Sequence, residues 1–232
     1  MKKLLSLVVI CLAALPAQGA KPRTVHFQTE DGWTICGRYR PPQPGRVVAI
    51  LVHGVAAGKD EYAPLEKRLD ELGIGSLAID LRGHGESLNG PEGRTEYFGF
   101  DAAHEWPRTL GDVEAAAAYL IKRGIPAERL GYVGSSIGAN LVSRTRLVPR
   151  WRVLLSPGAD YRGVRLAQPV AGVPLLIASS PGDPYAFATT AAYAKAAAGI
   201  VRLQAEGGHG AQMFSDPDFM QQLMDWIELH SR

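Results

Sequence analysis

Two hydrophobic rhythms alternate along this chain. Short, nearly continuous apolar runs fall at 47–54, 75–81, 129–135, 152–157, 174–180 and 201–207, the pattern of strands buried on both faces. Between most of them, apolar residues return every three or four positions, as on one face of a helix. Tyr62, Leu65, Leu69 and Leu72 do so within 59–73, and Phe219, Leu223, Trp226 and Ile227 within 216–230. Further helices are predicted over 112–124, 137–148 and 186–199, with Gly124 and Pro149 as stops for the first two. Ahead of all these, 24–29 and 33–40 alternate apolar and polar residues and are joined at Glu30-Asp31-Gly32, which predicts an antiparallel hairpin. Eight strands with helices between most of the last six predict an α/β fold, an eight-stranded, mostly parallel sheet covered by helices on both faces. Ligands of such sheets bind beyond the carboxyl ends of the strands, so the residues just after each strand are the ones to inspect. There is no internal repeat and no sign of a second domain in 20–232.

The first 19 residues follow neither rhythm. Lys2 and Lys3 precede an apolar run of 12 residues, Leu4 to Leu15, then the helix-breaking Pro16 and the small residues of Ala17-Gln18-Gly19. This is the layout of a cleaved export signal, and the run is short of the roughly 20 residues that a spanning helix needs. The expectation is a leader over 1–19, no stable membrane anchor, and a secreted or periplasmic product. Cys11 lies inside the apolar run after bulky Ile10, a poor setting for lipidation. Without the leader only Cys36 remains, so no intramolecular disulfide can form; its strand-like context predicts a small buried residue.

Composition changes this picture little. Of 232 residues, 46% are apolar and 21% charged, which excludes disorder as the main theme. The two leader lysines account for the excess of 25 basic over 23 acidic residues. No basic tract is left to follow a phosphate backbone, so nucleic acid is not an expected partner.

The chemistry concentrates after the fifth strand. Gly134-Ser135-Ser136-Ile137-Gly138 joins that strand to a helix, and G-x-S-x-G in such a setting lifts the central serine clear of the sheet at a helix N-terminus. The bland alternative is a small-residue turn that merely tightens strand–helix packing. Ser136 is the candidate nucleophile; Ser135 lacks the flanking glycines.

At this motif the chain resembles the α/β-hydrolase family, small cap-less serine-esterase-like members of it, over residues 24–230. Three further stretches carry the resemblance: His53-Gly54-Val55-Ala56-Ala57-Gly58 after the third strand, Asp80-Leu81-Arg82-Gly83-His84-Gly85-Glu86-Ser87 after the fourth, and 155–164 after the sixth. The third is similar to a stretch of esterase-like members near the serine aminopeptidase and dienelactone-hydrolase branches. The resemblance implies a triad in the chain order serine, acid, histidine. His209, in Glu206-Gly207-Gly208-His209-Gly210 after the last strand, stands where the family has its base. Asp183, after the seventh strand, is the expected acid, with Asp160 after the sixth as competitor; Asp80 is expected to brace its loop. The oxyanion hole implied is the backbone N–H of Ile137 with that of Val55, or of Ala56 instead. His53, Gly54 and Ala56 are expected at the substrate. No metal-ligand spacing is present, and the family's hydrolases need no cofactor.

Only 158–173 lies between the sixth and seventh strands, too little for the helical cap of many relatives, so an open site is expected. The one long insert, 87–107, contains Tyr97, Phe98, Phe100 and Trp106, which either wall an acyl pocket or pack back on the core. The expected reaction is hydrolysis of carboxylic esters, small or polymer-linked, with short-to-medium acyl groups or bulky accessible ones. A peptidase or thioesterase would use the same residues, and a non-catalytic binding protein could keep the fold. The oligomeric state is left open.

Overall fold

In a computed structural model of the protein, the structure describes residues 21–196 and 199–232. The leader expected over 1–19 lies outside them. The eight predicted strands are β1 (Arg23–Gln28), β2 (Thr34–Arg40), β3 (Val48–Val52), β4 (Gly75–Ile79), β7 (Leu130–Ser135), β8 (Trp151–Leu155), β11 (Leu175–Ser179) and β12 (Ile200–Gln204). Six of them pair in parallel in the order β12-β11-β8-β7-β3-β4, β2 joins β4 antiparallel, and β1 closes the hairpin on β2. Every residue of β3, β4, β7, β8 and β11 is buried, because helices cover both faces.

The helices are α1 (Ala63–Glu71), α2 (Glu105–Arg108), α3 (Leu110–Ile121), α4 (Ile137–Ser143), α5 (Pro184–Ala196) and α6 (Pro217–His230). Side chains alternate along β3 between the two layers. Val48, Ile50 and Val52 meet α3 and α4 residues such as Val113, Leu120 and Val142, while Ala49 and Leu51 meet Leu65 and Leu69 of α1 and Leu223 and Ile227 of α6.

Two expectations need correction. The insert is no plain loop: the two-residue strands β5 (Asn89–Gly90) and β6 (Gly93–Arg94) form a turn that extends the sheet beyond β2 to ten strands, and α2 follows. The helix expected to reach residue 148 ends at Ser143. Beyond it, the buried Arg152 guanidinium of β8 draws on the carbonyls of Thr145 (3.1 Å) and Leu147 (3.3 Å), so the chain turns to meet it. A second, separate pair, β9 (Asp160–Tyr161) and β10 (Val164–Arg165), forms a small hairpin between β8 and β11, in the place where a cap would stand.

Candidate active site

β7 runs through the middle of the sheet between β3 and β8, and its end turns sharply into α4. Ser136 makes the turn with φ +57° and ψ −121°, a conformation that costs a residue with a side chain on the order of 1–3 kcal/mol. Two glycines permit it. A Cβ at Gly134 would stand 2.5 Å from the Ala139 nitrogen and closer still to the Gly138 carbonyl. One at Gly138 would stand 2.7 Å from the His53 carbonyl oxygen and run into that of Val52. The Ser136 N–H donates to the Leu155 carbonyl of β8 (2.8 Å), which ties the turn to the neighbouring strand.

His209 follows β12 and its loop folds back on the serine turn. The Gly210 N–H donates to Ser156 Oγ (2.9 Å), and the Ala211 N–H to Ser135 Oγ (3.2 Å). Gly210 has φ +58°, and a Cβ there would collide with the Ser135 hydroxyl, so only glycine lets this loop lie on the turn. The His209 ring nitrogen Nδ1 stands 2.5 Å from Asp183 Oδ2, and Ser180 Oγ donates to the Gly208 carbonyl (2.6 Å) to hold the acid and histidine loops together. Asp183 also caps α5: its Oδ1 accepts from the Ala186 N–H (3.3 Å), and Pro184 opens the helix. A carboxylate is favoured at that end of a helix.

Asp160, the competing acid, is not brought to the histidine. It is exposed, accepts from the Gly163 N–H (2.8 Å) in the β9–β10 turn, and lies 3.6 Å from Arg165 Nε. Asp80 braces its loop as expected, buried between the Lys59 and Glu86 N–H groups and the Lys59 ammonium (2.6 Å). Cys36 is fully buried, its thiol donating to Glu86 Oε2 (2.9 Å), and burial pushes it up to about 12.

On the β3 side, Gly54 packs directly on the serine; a Cβ there would stand 3.2 Å from Ser136 Cβ. The Ala57 N–H returns to the Gly54 carbonyl (3.3 Å) through Val55 and Ala56, with Ala56 at φ +60° and exposed on the lip of the turn. Ile137 opens α4, so its N–H has no intrahelical partner. His53 does not line the site, contrary to expectation. It is fully buried, its Nε2 accepting from the Leu81 N–H (2.9 Å) and its Nδ1 donating to the Gly54 carbonyl (2.6 Å). Burial beside His84 pushes it down to about 4, so it is a neutral brace between two loops.

The insert packs back on the core. Phe100 and Trp106 are buried, Tyr97 stacks on the buried His84 with centroids 4.0 Å apart, and Phe98 alone stands out, 77% exposed. Asp101, His104 and Glu105 are the one cluster of metal-ligand type among the described residues. There Asp101 Oδ1 accepts the N–H groups of Ala103 and His104 at the start of α2, which accounts for the grouping.

Four participants escaped the sequence. Ser135 holds the histidine loop. Glu61, from the turn before α1, accepts from the Gly54 N–H (3.3 Å), and burial pushes its carboxyl up to about 7. Tyr161 of β9 brings its ring edge-on to His209, with centroids 6.3 Å apart, and donates from its hydroxyl to the Ser156 carbonyl (3.3 Å). Asn140 of α4 clamps the loop that carries Tyr161, donating to the carbonyls of Gly158 (2.8 Å) and Val164 (2.7 Å) and accepting from the Gly158 N–H (3.2 Å). A polar residue in the apolar stretch 137–142 was the only available signal, and it points to Asn140 alone. A groove of about 530 Å³ between α5 and the β9–β10 hairpin has Tyr185 as a wall, and Tyr185 packs on Tyr161.

A hydroxyl at a helix N-terminus, an imidazole paired with a carboxylate and a first-turn N–H without an intrahelical partner are parts that acyl transfer uses. Known proteins show the same architecture. An esterase of Pyrococcus furiosus superposes with a TM-score of 0.69 at 15% identity, over 91% of this chain and 92% of that one. A predicted CIB-like hydrolase of Thermoplasma acidophilum gives 0.70 at 16% identity, over 91% and 99%. An esterase of Exiguobacterium antarcticum gives 0.68 at 13%, over 89% and 100%. Among curated proteins, protein phosphatase methylesterase 1 of Schizosaccharomyces pombe is 37% identical over 62 residues; the match takes in 25% of this chain and spans only about a fifth, 18%, of that protein. Residues 49–230, from the first buried strand to the last helix, match the model of the alpha/beta hydrolase family, and the chain belongs to that family.

Proposed function

We propose that the protein is a serine hydrolase that cleaves carboxylic esters through an acyl-enzyme. The observation that carries the reading is the 2.5 Å pair of Asp183 and His209 on a loop fastened to the turn that strains Ser136. In this reading the Ser136 oxygen attacks the acyl carbonyl carbon while His209 Nε2 takes its proton. Asp183 keeps the other ring proton on Nδ1, which leaves the Nε2 lone pair free for that task. The N–H groups of Ile137 and Val55 receive the oxyanion, each worth roughly 2.7–4 kcal/mol. His209 then protonates the departing alcohol, the C–O bond breaks, and a water molecule repeats the sequence to release the acid.

Ester substrates are favoured because the named structural neighbours include two esterases and the short curated match is to a methylesterase. The β9–β10 hairpin in place of a cap suits short-to-medium acyl groups or bulky, accessible esters. With residues 1–19 as an export leader, the reaction takes place outside the cytoplasm; the N-terminal residue of the purified native protein tests that part.

The decisive experiment is hydrolysis of p-nitrophenyl acetate, butyrate and octanoate by the protein and by Ser136→Ala, with fluorophosphonate labelling alongside. Turnover and labelling in the wild type, both lost in the variant, are expected. Equal turnover by the two proteins would put the nucleophile elsewhere; no turnover and no labelling in either would favour a binding protein.

A further inference from the structure

The order of the strands sorts the groups around Ser136. β3 lies on one side of β7 and carries the Gly54–Ala57 turn. β8 lies on the other side, followed outward by β11 with Asp183 and β12 with His209. An ester bound with its carbonyl oxygen at Val55 and Ile137 therefore has its alcohol oxygen on the β8 side, where His209 protonates it. Tyr161, the last residue of β9, stands on that side, its ring edge-on to His209 with centroids 6.3 Å apart and its hydroxyl on the Ser156 carbonyl at the end of β8.

Its position is built with care. A Cβ at Gly158 would stand 2.7 Å from Tyr161 Cζ and 2.5 Å from Tyr185 Cε1, so glycine lets both rings lie on the backbone there. Tyr185 holds the β9 backbone, its hydroxyl exchanging bonds with the Asp160 N–H and carbonyl at 3.0 Å each. Asn140, one turn after Ser136 in α4, fastens the same loop, so the phenol and the nucleophile are positioned by one helix. The phenol's partner in the resting structure is weak: the Ser156 carbonyl at 3.3 Å, the long end of an O–H···O bond. Its proton is available to a better acceptor.

We infer that Tyr161 is a leaving-group-side catalytic residue, whose hydroxyl donates a hydrogen bond to the alcohol oxygen of the ester as the acyl–oxygen bond breaks. The inference rests on the serine-esterase reading. The proton that the alcohol gains comes from His209 and the bonding electrons leave with the oxygen; Tyr161 keeps its own proton and steadies the charge that builds up before transfer. Burial, with the Asp183 carboxylate nearby, pushes the phenol well above its ordinary range, so it stays a donor wherever the enzyme works.

The test is Tyr161→Phe, which removes one oxygen and keeps the ring, measured as kcat/KM on acetate esters whose alcohols run from p-nitrophenol through phenol to ethanol. The better the leaving group, the less charge needs help. The expected loss is less than about threefold for p-nitrophenyl acetate and about tenfold or more for ethyl acetate, the worth of one hydrogen bond to a charging oxygen. The plot against alcohol pKa should steepen accordingly. A loss of the same factor across the series overturns the inference, because misplacement alone does not sense the leaving group. Fluorophosphonate labelling of the variant at a rate within about threefold of wild type certifies an intact nucleophile. If the wild type neither labels nor turns over any ester, the esterase reading fails and takes this inference with it. If the wild type does both and the variant shows no steepening, only the role of Tyr161 falls.

Discussion

Gly138→Ala concentrates the logic of the serine turn in one methyl group. The added carbon would stand 2.7 Å from the His53 carbonyl oxygen, 2.8 Å from the Val52 carbonyl carbon and nearer still to the Val52 oxygen. Ordinary carbon–oxygen contacts begin at about 3.3 Å. Every colliding atom is backbone at the end of β3, in the middle of the sheet, where no side chain can swing aside. The first turn of α4 must therefore retreat by about 1 Å, and Ser136 and the Ile137 N–H go with it. Overpacking of this kind costs about 1–3 kcal/mol, or roughly 3–10 °C in Tm for a chain of this size. A displacement of 1 Å at reacting groups costs about 10²-fold in rate. We expect Gly138→Ala to fold with a lowered Tm and to lose about 10²-fold in kcat/KM for p-nitrophenyl butyrate. Gly54→Ala is the internal comparison: its nearest neighbour would be Ser136 Cβ at 3.2 Å, a few tenths of an ångström too close, so its loss should be clearly smaller. A Gly138→Ala enzyme within threefold of wild type, or a Gly54→Ala enzyme more damaged than it, would refute the reasoning.

Three further outcomes follow from the same geometry. Asp183→Asn should lower kcat by about 10³–10⁴-fold by freeing the wrong His209 tautomer, whereas Asp160→Asn should stay near wild type; equal losses would mean that the acid is misassigned. Glu61→Gln tests burial of a carboxyl: the unfolded group ionises near 4.5 while the native one keeps its proton to about 7, so wild-type stability falls as pH rises through that window. Urea unfolding should show the variant gaining on wild type by about 3 kcal/mol between pH 4 and pH 8, and a difference independent of pH would be the contrary result. Trp106→Ala should cost about 3–5 kcal/mol because the ring is 1% exposed, while Phe98→Ala should stay within about 0.5 kcal/mol; a large stability loss at Phe98 would contradict the packing described for the insert.

Much of this protein is written locally. Five of the eight main strands, β3, β4, β7, β8 and β11, follow from apolar runs because a strand covered on both faces excludes polar side chains whatever its neighbours are, and the β1–β2 hairpin follows from alternation. The serine turn follows from five consecutive residues, since both its strain and the glycines that allow it belong to one stretch of backbone. The His209 loop is nearly as local, because Gly208 and Gly210 adopt positive φ within it. What depends on strand order was not local. Asp183 and Asp160 each follow a buried strand and look alike in sequence; only the pairing of β11 with β12 brings one of them to His209, while a turn with Gly163 occupies the other. The aromatics of the insert had no visible destination until the core beneath them existed. Tyr161 meets His209, and Ser135 meets Ala211 of the histidine loop, across gaps of tens of residues, and His53 left the site for a brace to Leu81. Periodicity reports which face of an element is buried and turn chemistry reports where the chain bends. Neither reports which element will lie alongside, and in this site the partners of the catalytic candidates are set by what lies alongside.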